Sequence, residues 1–491
     1  MAGKLIKAPR GTQDILGTES YQWQFVERMA LETAGLFGFS EMRTPVFEQM
    51  DLFKRSVGDT TDVVQKEMYE VRAEKGKDLY GLKPEGTAGA VRSAIEHNLL
   101  KGALPLKVCY ITPCFRHERP QAGRLREFHQ FGVEMFGAQS PSADVEVICV
   151  ARELFQMLGL KDITLNINSI GCPTCRAEYH KALTEYFRQY SDQLCGTCLE
   201  RLDKNPMRIL DCKSPVCSEL AKNAPVVLDY LCDDCKTHFE GVKTRLEAIG
   251  IPYQVDPTIV RGLDYYTKTV FEFISNNLGA QSTVCGGGRY DGLVEQMGGD
   301  PAPGLGFAVG LERLLLIMQA QGIEIPKPES CELFIASMGE AANIRACKLV
   351  NELRSEGFYA ECDLMGRSVK AQMKYANKIG AKYTMVLGDS ELEGGTAKLK
   401  DMESGEEKEI HFQNELAQTL YDVTIQRATE NLADDFGGEA LASMMEMKQE
   451  ESGEDGREYE GLEANPLLRR ASGGTNWPGG CSRRLGAETA G

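Results

Sequence analysis

Leu106-Lys-Val-Cys-Tyr-Ile-Thr-Pro-Cys-Phe-Arg116 and Arg126-Glu-Phe-His-Gln-Phe-Gly-Val-Glu-Met-Phe136 decide the fold. Both runs are rich in β-branched and aromatic residues, and the stretch between them carries Pro120 and Gly123. They read as antiparallel strands of a hairpin with a long loop. Side chains alternate along a strand, so Phe128, Gln130, Gly132 and Glu134 share one face and His129, Phe131, Val133 and Met135 the other. The first face reads as a pocket floor, with Gln130 and Glu134 flanking a glycine that leaves room for a ligand. On the partner strand the same alternation carries Tyr110, Thr112, Cys114 and Arg116. Arg116, with Arg119, Arg124 and Arg126 in or beside the loop, supplies planar cations suited to phosphates and carboxylates. The alternative is a solvated hairpin with surface ion pairs.

Working outward, Phe25, Met29, Leu31 and Leu36 recur at helical spacing, and Gly35 and Gly38 close that helix before an extended segment ending at Thr44-Pro45. Residues 162–169 alternate as a half-buried strand. A cysteine-rich segment, Cys172 to Cys235, interrupts the pattern before strand-like sequence resumes near Tyr253. The expected organisation is therefore a discontinuous sheet core, 1–170 and 246–325, with an insertion at 171–245. A polar linker, Gln319 to Ser330, precedes a strand-helix-strand-helix pattern that predicts a separate α/β domain over 330–425. From 426 to 491 the chain has thirteen Asp and Glu against seven Lys and Arg, and it reads as a disordered tail.

With 491 residues the chain can bury a large core without covalent staples. No apolar run reaches membrane-spanning length, since Glu312 and Arg313 interrupt the greasiest stretch, and no secretory signal is evident. These features predict a soluble cytoplasmic protein with no membrane partner. In that reducing compartment the sixteen cysteines are not expected to form disulfides. A net charge of −17 argues against indiscriminate coating of nucleic acid and leaves a local basic face open.

Gly304-Leu-Gly-Phe-Ala-Val-Gly310 reads as a glycine-lined strand able to approach a flat ligand, and Arg313 opens the helix that follows it. At a helix N-terminus the arginine and the dipole together suit a triphosphate end. The sequence contains neither GxxxxGK[ST] nor a dinucleotide-type GxGxxG, so ATP would not be held by those devices.

These segments resemble the histidyl-tRNA synthetases of bacterial type, within the class II aminoacyl-tRNA synthetases. The resemblance is carried by Arg10-Gly-Thr-Gln-Asp-Ile-Leu16, Lys83-Pro-Glu-Gly-Thr87, Phe115-Arg-His-Glu-Arg-Pro120 through Gln130 and Glu134, Arg261-Gly-Leu-Asp-Tyr-Tyr266, Gly287-Gly-Arg-Tyr-Asp291 and Gly304 to Arg313. It implies an antiparallel class II sheet core, a mainly helical cysteine-rich insertion and a C-terminal anticodon-binding α/β domain. It implies a histidine site of Glu85, Gly86, Thr87, Arg116, Gln130, Glu134, Arg261, Tyr265 and Tyr266, and an ATP site of Arg116, Glu118, Arg124, Phe128 and Arg313. Arg116, Arg261 and Arg313 would be catalytic, with Mg²⁺ on the phosphates. The partners implied are L-histidine, ATP, histidine tRNA and a second copy of the chain, joined through the unit near Tyr21 to Phe47. The residues alone indicate a small amphoteric ligand; its identity as histidine rests on the resemblance. Lys83 stands where relatives often carry arginine, which keeps the charge and loses the bidentate fork.

Cys172-x-x-Cys175, Cys195-x-x-Cys198, Cys212-x₄-Cys217 and Cys232-x-x-Cys235 supply eight thiols in four pairs, enough for two structural four-cysteine zinc sites. The spacing leaves open which pairs share a metal, and reduced thiols without metal are the alternative. Lys370, Lys374 and Lys378 recur every four residues, with Arg367 and Lys382 continuing the row, as a basic ridge for RNA phosphates or a solvated face. His97, His117 and His129 read as ordinary strand or helix residues, with His117, beside the loop arginines, also placed to touch substrate. A non-catalytic rival, the regulatory subunit of ATP phosphoribosyltransferase, lacks the C-terminal α/β domain and departs from the Arg261 to Tyr266 run.

Overall fold

The computed structural model describes residues 5–58, 61, 63–72, 78–121, 123–212, 214–259, 263–275 and 283–436, the side chains of the last ten excepted. The chain divides into two compact units, Met1–Pro328 and Glu329–Gly491.

The first unit is built on an eight-stranded sheet. In spatial order its strands are Ser40–Glu41, Leu106–Phe115, Glu127–Phe136, Gly304–Gly310, Thr283–Arg289, Thr267–Ser275, Ile163–Ser169 and Gln254–Val255. The six inner strands pair antiparallel, as the hairpin reading requires. The two outermost strands pair parallel, which makes the sheet mixed. Each is two residues long, too short to leave a period in the sequence.

Phe131, Val133 and Met135, with Leu305, Phe307 and Val309 from the neighbouring strand, form the apolar face. Helices Ser20–Leu36, Pro141–Met157 and Leu311–Ala320 contribute to the same core. In Leu311–Ala320 the buried Leu311, Leu314, Ile317 and Met318 fall on one stripe at three- to four-residue spacing. Pro141–Met157 begins with Ser140, whose hydroxyl accepts the Ser142 N–H at 3.2 Å, followed by Pro141 in the first turn. Such a cap contributes about 1 kcal/mol. The opposite face of the sheet, with Phe128, Gln130 and Glu134, is left to line a cleft.

The cysteine-rich insertion leaves from Ile163–Ser169 and returns to its parallel neighbour Gln254–Val255. Between them lie helices Pro173–Arg188, Gly196–Lys204, Pro215–Ala221 and Asp233–Ala248. The last belongs partly to the main core, because Phe239, Val242 and Leu246 are buried in it. A boundary at 245 therefore cuts through a packed helix. Its apolar positions match the sheet-covering helices in period, so the sequence cannot tell insertion from core there.

In the second unit, Ala360–Cys362, Leu333–Ser337 and Tyr383–Leu387 are parallel, and the hairpin of Ala397–Asp401 and Glu407–Ile410 extends the sheet antiparallel. Helices Glu340–Ser355 and Val369–Lys378 supply the crossovers. Helix Leu416–Phe436 runs past residue 425, where we expected the unit to end. The Leu, Ala, Gln and Glu residues there are good helix formers, and their propensity continues the helix. The rest of the expected tail, 437–491, lies outside the described residues.

Candidate active site

The floor of the cleft follows from strand register. Tyr110 pairs with Gly132 and Val108 with Glu134 across the hairpin, while Gly306 pairs with Glu134 on the other side. A Cβ on Gly132 would stand 2.4 Å from the Tyr110 ring. The space over this glycine is thus filled by tyrosine, which corrects the expectation that it leaves room for a ligand directly. The same correction applies to Gly304 and Gly306. A Cβ on Gly304 would meet the Tyr290 ring at 2.3 Å, and one on Gly306 would meet Glu134 Oε2 at 2.0 Å. The glycines let large polar side chains lie flat against the sheet.

Those side chains converge on Glu134. The Tyr110 hydroxyl donates to Oε1 at 2.9 Å, and the Tyr290 hydroxyl donates to Oε2. Glu134 is fully buried, and burial pushes its carboxyl up to about 8, against the hydroxyl bonds that favour its charge. Sequence reasoning did not assign Tyr110 or Tyr290 to the site. The pairing of a large residue with a facing glycine was the available signal for Tyr110.

Glu85 precedes helix Thr87–Glu96, and its carboxylate accepts the N–H groups of Thr87 and Ala88, each at 2.8 Å. Burial raises its pKa, while these amides and the charge of Arg116 favour the ionised form. The Tyr265 and Tyr266 rings lie 4.6 Å apart between centroids, tilted at 44°, and Tyr265 meets Tyr290 edge-on at 5.5 Å.

At the other end stand the cations. Arg116 donates from Nε to Pro84 O at 3.0 Å and lies over the Phe128 ring at 5.4 Å. Arg124 pairs with Glu118 at 2.8 Å. Arg313 donates to Gly123 O at 3.4 Å and to Thr283 O. Burial, then the charges of Arg124 and Arg116, push its guanidinium down, as expected where like charges crowd. Glu312 accepts the His129 N–H at 2.9 Å and faces its Nδ1 at 3.1 Å, fixing the start of the helix that carries Arg313. His129 thus serves structure, on the face away from the floor. Arg126, in turn, donates its N–H to Gly11 O at 2.7 Å and anchors the N-terminal segment.

Glu85, Thr87, Arg116, Glu118, Arg124, Phe128, Gln130, Glu134, Tyr265, Tyr266 and Arg313 all line this one cleft of about 240 Å³. Gly86 adjoins it, since a Cβ there would meet the Tyr110 ring. Arg261 lies outside the described residues. Lys83 is buried away from the cleft lining, its Nζ donating to Thr44 O at 3.2 Å.

A second buried polar cluster was not anticipated. Arg289 is completely buried and donates to Asp144 at 2.7–3.0 Å, to Ala138 O and to Ser140 O. His238 of the insertion meets the same carboxylate at 3.2 Å. The 145 residues between Asp144 and Arg289 hide the pair from any local pattern.

The eight insertion cysteines form two groups, Cys172, Cys175, Cys232 and Cys235, and Cys195, Cys198, Cys212 and Cys217. In the second unit Lys370, Lys374 and Lys378 are exposed on one helix. The row is shorter than expected, because Arg367 pairs with Asp363 and stacks on Tyr375, and Lys382 pairs with Glu329.

One end of the cleft thus offers a buried acid among hydroxyls, and the other offers guanidinium groups for a polyanion. Residues 11–314 match the family model "Histidyl-tRNA synthetase", and residues 332–420 match "Anticodon binding domain". The histidine–tRNA ligase of Acetivibrio thermocellus is 57% identical over 406 residues, 83% of this chain and 97% of that protein. That of Caldanaerobacter subterraneus is 55% identical with the same coverage. The crystal structure of apo histidyl-tRNA synthetase from S. aureus superposes with a TM-score of 0.73 at 40% identity, covering 85% of this chain and all of that one. The cleft, the strand order that builds it and these matches agree, and the chain belongs to the histidyl-tRNA synthetase family.

Proposed function

We propose that the chain activates L-histidine with ATP to histidyl-adenylate and pyrophosphate, then transfers the histidyl group to the 3′ end of histidine tRNA. In the first step a carboxylate oxygen of histidine attacks the α-phosphorus, and the bond to the pyrophosphate leaving group breaks. The barrier is mainly the approach of two anions. Arg116 bridges carboxylate and α-phosphate, Arg261 stabilises the developing charge, and Arg313 holds the γ-phosphate. Glu118, Arg124 and Phe128 complete the nucleotide site. Mg²⁺ bound with ATP would supply further neutralisation of the phosphates. Glu118 and Glu312, the acids lining that end, are already engaged by Arg124 and His129.

At the amino-acid end Glu85 takes the ammonium with Gly86 and Thr87, and Glu134 takes an imidazole N–H, assisted by Gln130, Tyr265 and Tyr266. In the second step the terminal ribose hydroxyl attacks the adenylate carbonyl and AMP departs. The observation that carries this reading is one cleft holding Glu134 between two tyrosine hydroxyls at one end and Arg116, Arg124 and Arg313 at the other. A polar floor of this kind rejects amino acids that leave its groups unpaired.

Lys370, Lys374 and Lys378 meet tRNA phosphates, and the insertion faces the acceptor arm. The chain works as a homodimer in the cytoplasm, joined near the opening helix, where Leu36, Val46 and Phe47 are exposed apolar residues. No described helix is long and apolar enough to cross a membrane. The cysteine groups bind structural zinc, as argued below. The core comprises 1–170 with 246–325, the insertion 171–245 and the anticodon-binding domain 330–425, with helices Asp233–Ala248 and Leu416–Phe436 crossing the boundaries at 245 and 425.

The test is ATP–pyrophosphate exchange with each of the twenty amino acids, wild type beside Arg261→Ala. Exchange with histidine alone, lost in the variant, is expected. No exchange with any amino acid from folded protein would overturn the enzyme reading in favour of a regulatory paralogue.

A further inference from the structure

We propose that the insertion holds two zinc ions in nested four-thiolate centres, the first joining Cys172 and Cys175 to Cys232 and Cys235, the second joining Cys195 and Cys198 to Cys212 and Cys217. Within each group all four sulfurs lie within 4.8 Å of one another. Cys172 stands 3.6 Å from Cys175 and 4.0 Å from Cys232, and Cys195 stands 3.8 Å from Cys212. Zinc–sulfur bonds of about 2.3 Å in a tetrahedron put sulfurs about 3.8 Å apart. Disulfides would instead draw two sulfurs to about 2.05 Å, and none of the eight is bridged.

The local structure explains the spacing. Cys172, Cys195 and Cys232 occupy the cap positions of helices Pro173–Arg188, Gly196–Lys204 and Asp233–Ala248, with Cys175, Cys198 and Cys235 in the first turns. A cap and the residue three further on face the same side, which is why two intervening residues suffice. In the third pair Ser214 takes the cap, so Cys212 precedes it and the spacing widens to four residues. Backbone amides already point at sulfur: Cys232 N–H to Cys175 at 3.1 Å, Cys195 N–H to Cys217 at 3.3 Å and Ser214 N–H to Cys212 at 3.5 Å. Such donors favour thiolates, the form that binds metal. By contrast Cys347 and Cys362, 3.8 Å apart in the second unit, have no second pair beside them among the described residues.

The two centres do different work. The first ties the chain entering the insertion to the chain leaving it, across 60 residues. The second closes the segment 195–217, which carries helix Gly196–Lys204 and the turn Pro206–Ile209. From that segment Arg208 donates to Asp264 Oδ1 at 3.0 Å and Asn205 donates to the same oxygen at 3.3 Å. Asp264 directly precedes Tyr265 and Tyr266, so the second centre positions the tyrosine wall of the amino-acid site. This positioning role rests on the function proposed above; the metal centres do not.

The experiment is metal analysis of the full chain, purified reduced and without chelator, with zinc and then cobalt added to stripped protein. Wild type is expected to hold two ions per chain, with the intense visible absorption of tetrahedral cobalt thiolate. Cys172→Ser with Cys232→Ser is expected to retain one ion, as is Cys195→Ser with Cys217→Ser, whereas Cys172→Ser with Cys195→Ser retains none. Wild-type protein that holds no zinc and takes up neither metal overturns the centres, whatever the variants do. Two ions in wild type but one left in the Cys172/Cys195 double variant overturns the pairing. For the positioning role, Cys195→Ser with Cys217→Ser is expected to raise KM for histidine severalfold in pyrophosphate exchange and to leave KM for ATP unchanged. Equal KM values overturn that role alone. Absence of exchange in zinc-replete wild type instead overturns the proposed function and leaves the metal count standing.

Discussion

Asp144 and Glu134 are both buried carboxylates in the same sheet unit, and their surroundings give them opposite properties. Asp144 faces Arg289 and His238, which outweigh burial and hold its pKa below the usual carboxylate value. Glu134 is met instead by neutral hydroxyls, those of Tyr290, Thr87 and Tyr110, and burial raises it to about 8. A carboxylate whose charge is completed inside the protein is a structural tie, here between the sheet, helix Pro141–Met157 and the insertion. One supplied with dipoles alone is completed by a ligand that brings an N–H or a cation, and it lies in the cleft.

The largest effect expected from breaking this contrast is at the structural tie. Arg289→Met leaves Asp144 buried without its main cation and should cost about 3–5 kcal/mol in urea unfolding. Adding Asp144→Asn should recover part of that loss. A single variant within 1 kcal/mol of wild type, by the measure of ordinary surface changes, would show that the pair does not tie the sheet to helix Pro141–Met157 and the insertion.

Glu134→Gln comes next. It keeps the shape and removes the acid that can ionise when a ligand N–H or cation arrives, so histidine-dependent pyrophosphate exchange should fall about 10- to 150-fold, the worth of a charge-assisted hydrogen bond made in the complex. Melting temperature at neutral pH should not fall. A variant with unchanged exchange would make Glu134 structural, like Asp144.

The pH dependence sharpens the contrast further. With a folded pKa of about 8 against 4.5 in the reference state, Glu134 keeps its proton in the folded protein across that window and loses it on unfolding. Its contribution to stability is present below pH 4.5 and lost as pH rises towards 8, with a slope of at most about 1.4 kcal/mol per pH unit. Asp144, with its pKa depressed, contributes in the opposite sense, losing stability as pH falls through the acid range. The stability difference between wild type and Glu134→Gln, followed by urea titration from pH 5 to 8, should therefore shrink as pH rises, whereas that between wild type and Asp144→Asn stays flat there and falls only in the acid range.

The smallest effect lies outside both sites. Replacing Lys370, Lys374 and Lys378 by alanine should weaken tRNA aminoacylation and reduce its salt dependence by about 0.7–0.9 in log–log slope per lost phosphate contact. Pyrophosphate exchange should be unchanged. An unaltered salt slope would make the ridge a solvated face.

Much of this is legible in the sequence. Period-two alternation sorted Gln130 and Glu134 from Phe131 and Val133 correctly, because a strand buried on one face leaves no other arrangement. Arg116, Arg124 and Arg313 were recognisable as a cation group from their types and their placement beside a loop and a helix start. Tyr110 was visible as a residue and not as a partner of Glu134, since that contact depends on the hairpin register and on the neighbouring strand that brings Gly306 opposite. The cysteine spacing likewise revealed pairs without their partners.

The sequence by itself therefore determined which faces are apolar, where helices start and which residue types could do chemistry, because these follow from short-range periodicity and capping. Tertiary structure alone decided that Tyr290 and Tyr110 share one carboxylate, that Arg289 finds Asp144 across 145 residues, and that the first cysteine pair meets the fourth. Each of these joins segments far apart in the chain. Their meeting depends on the sheet order and on the path of the insertion, and no local pattern encodes either.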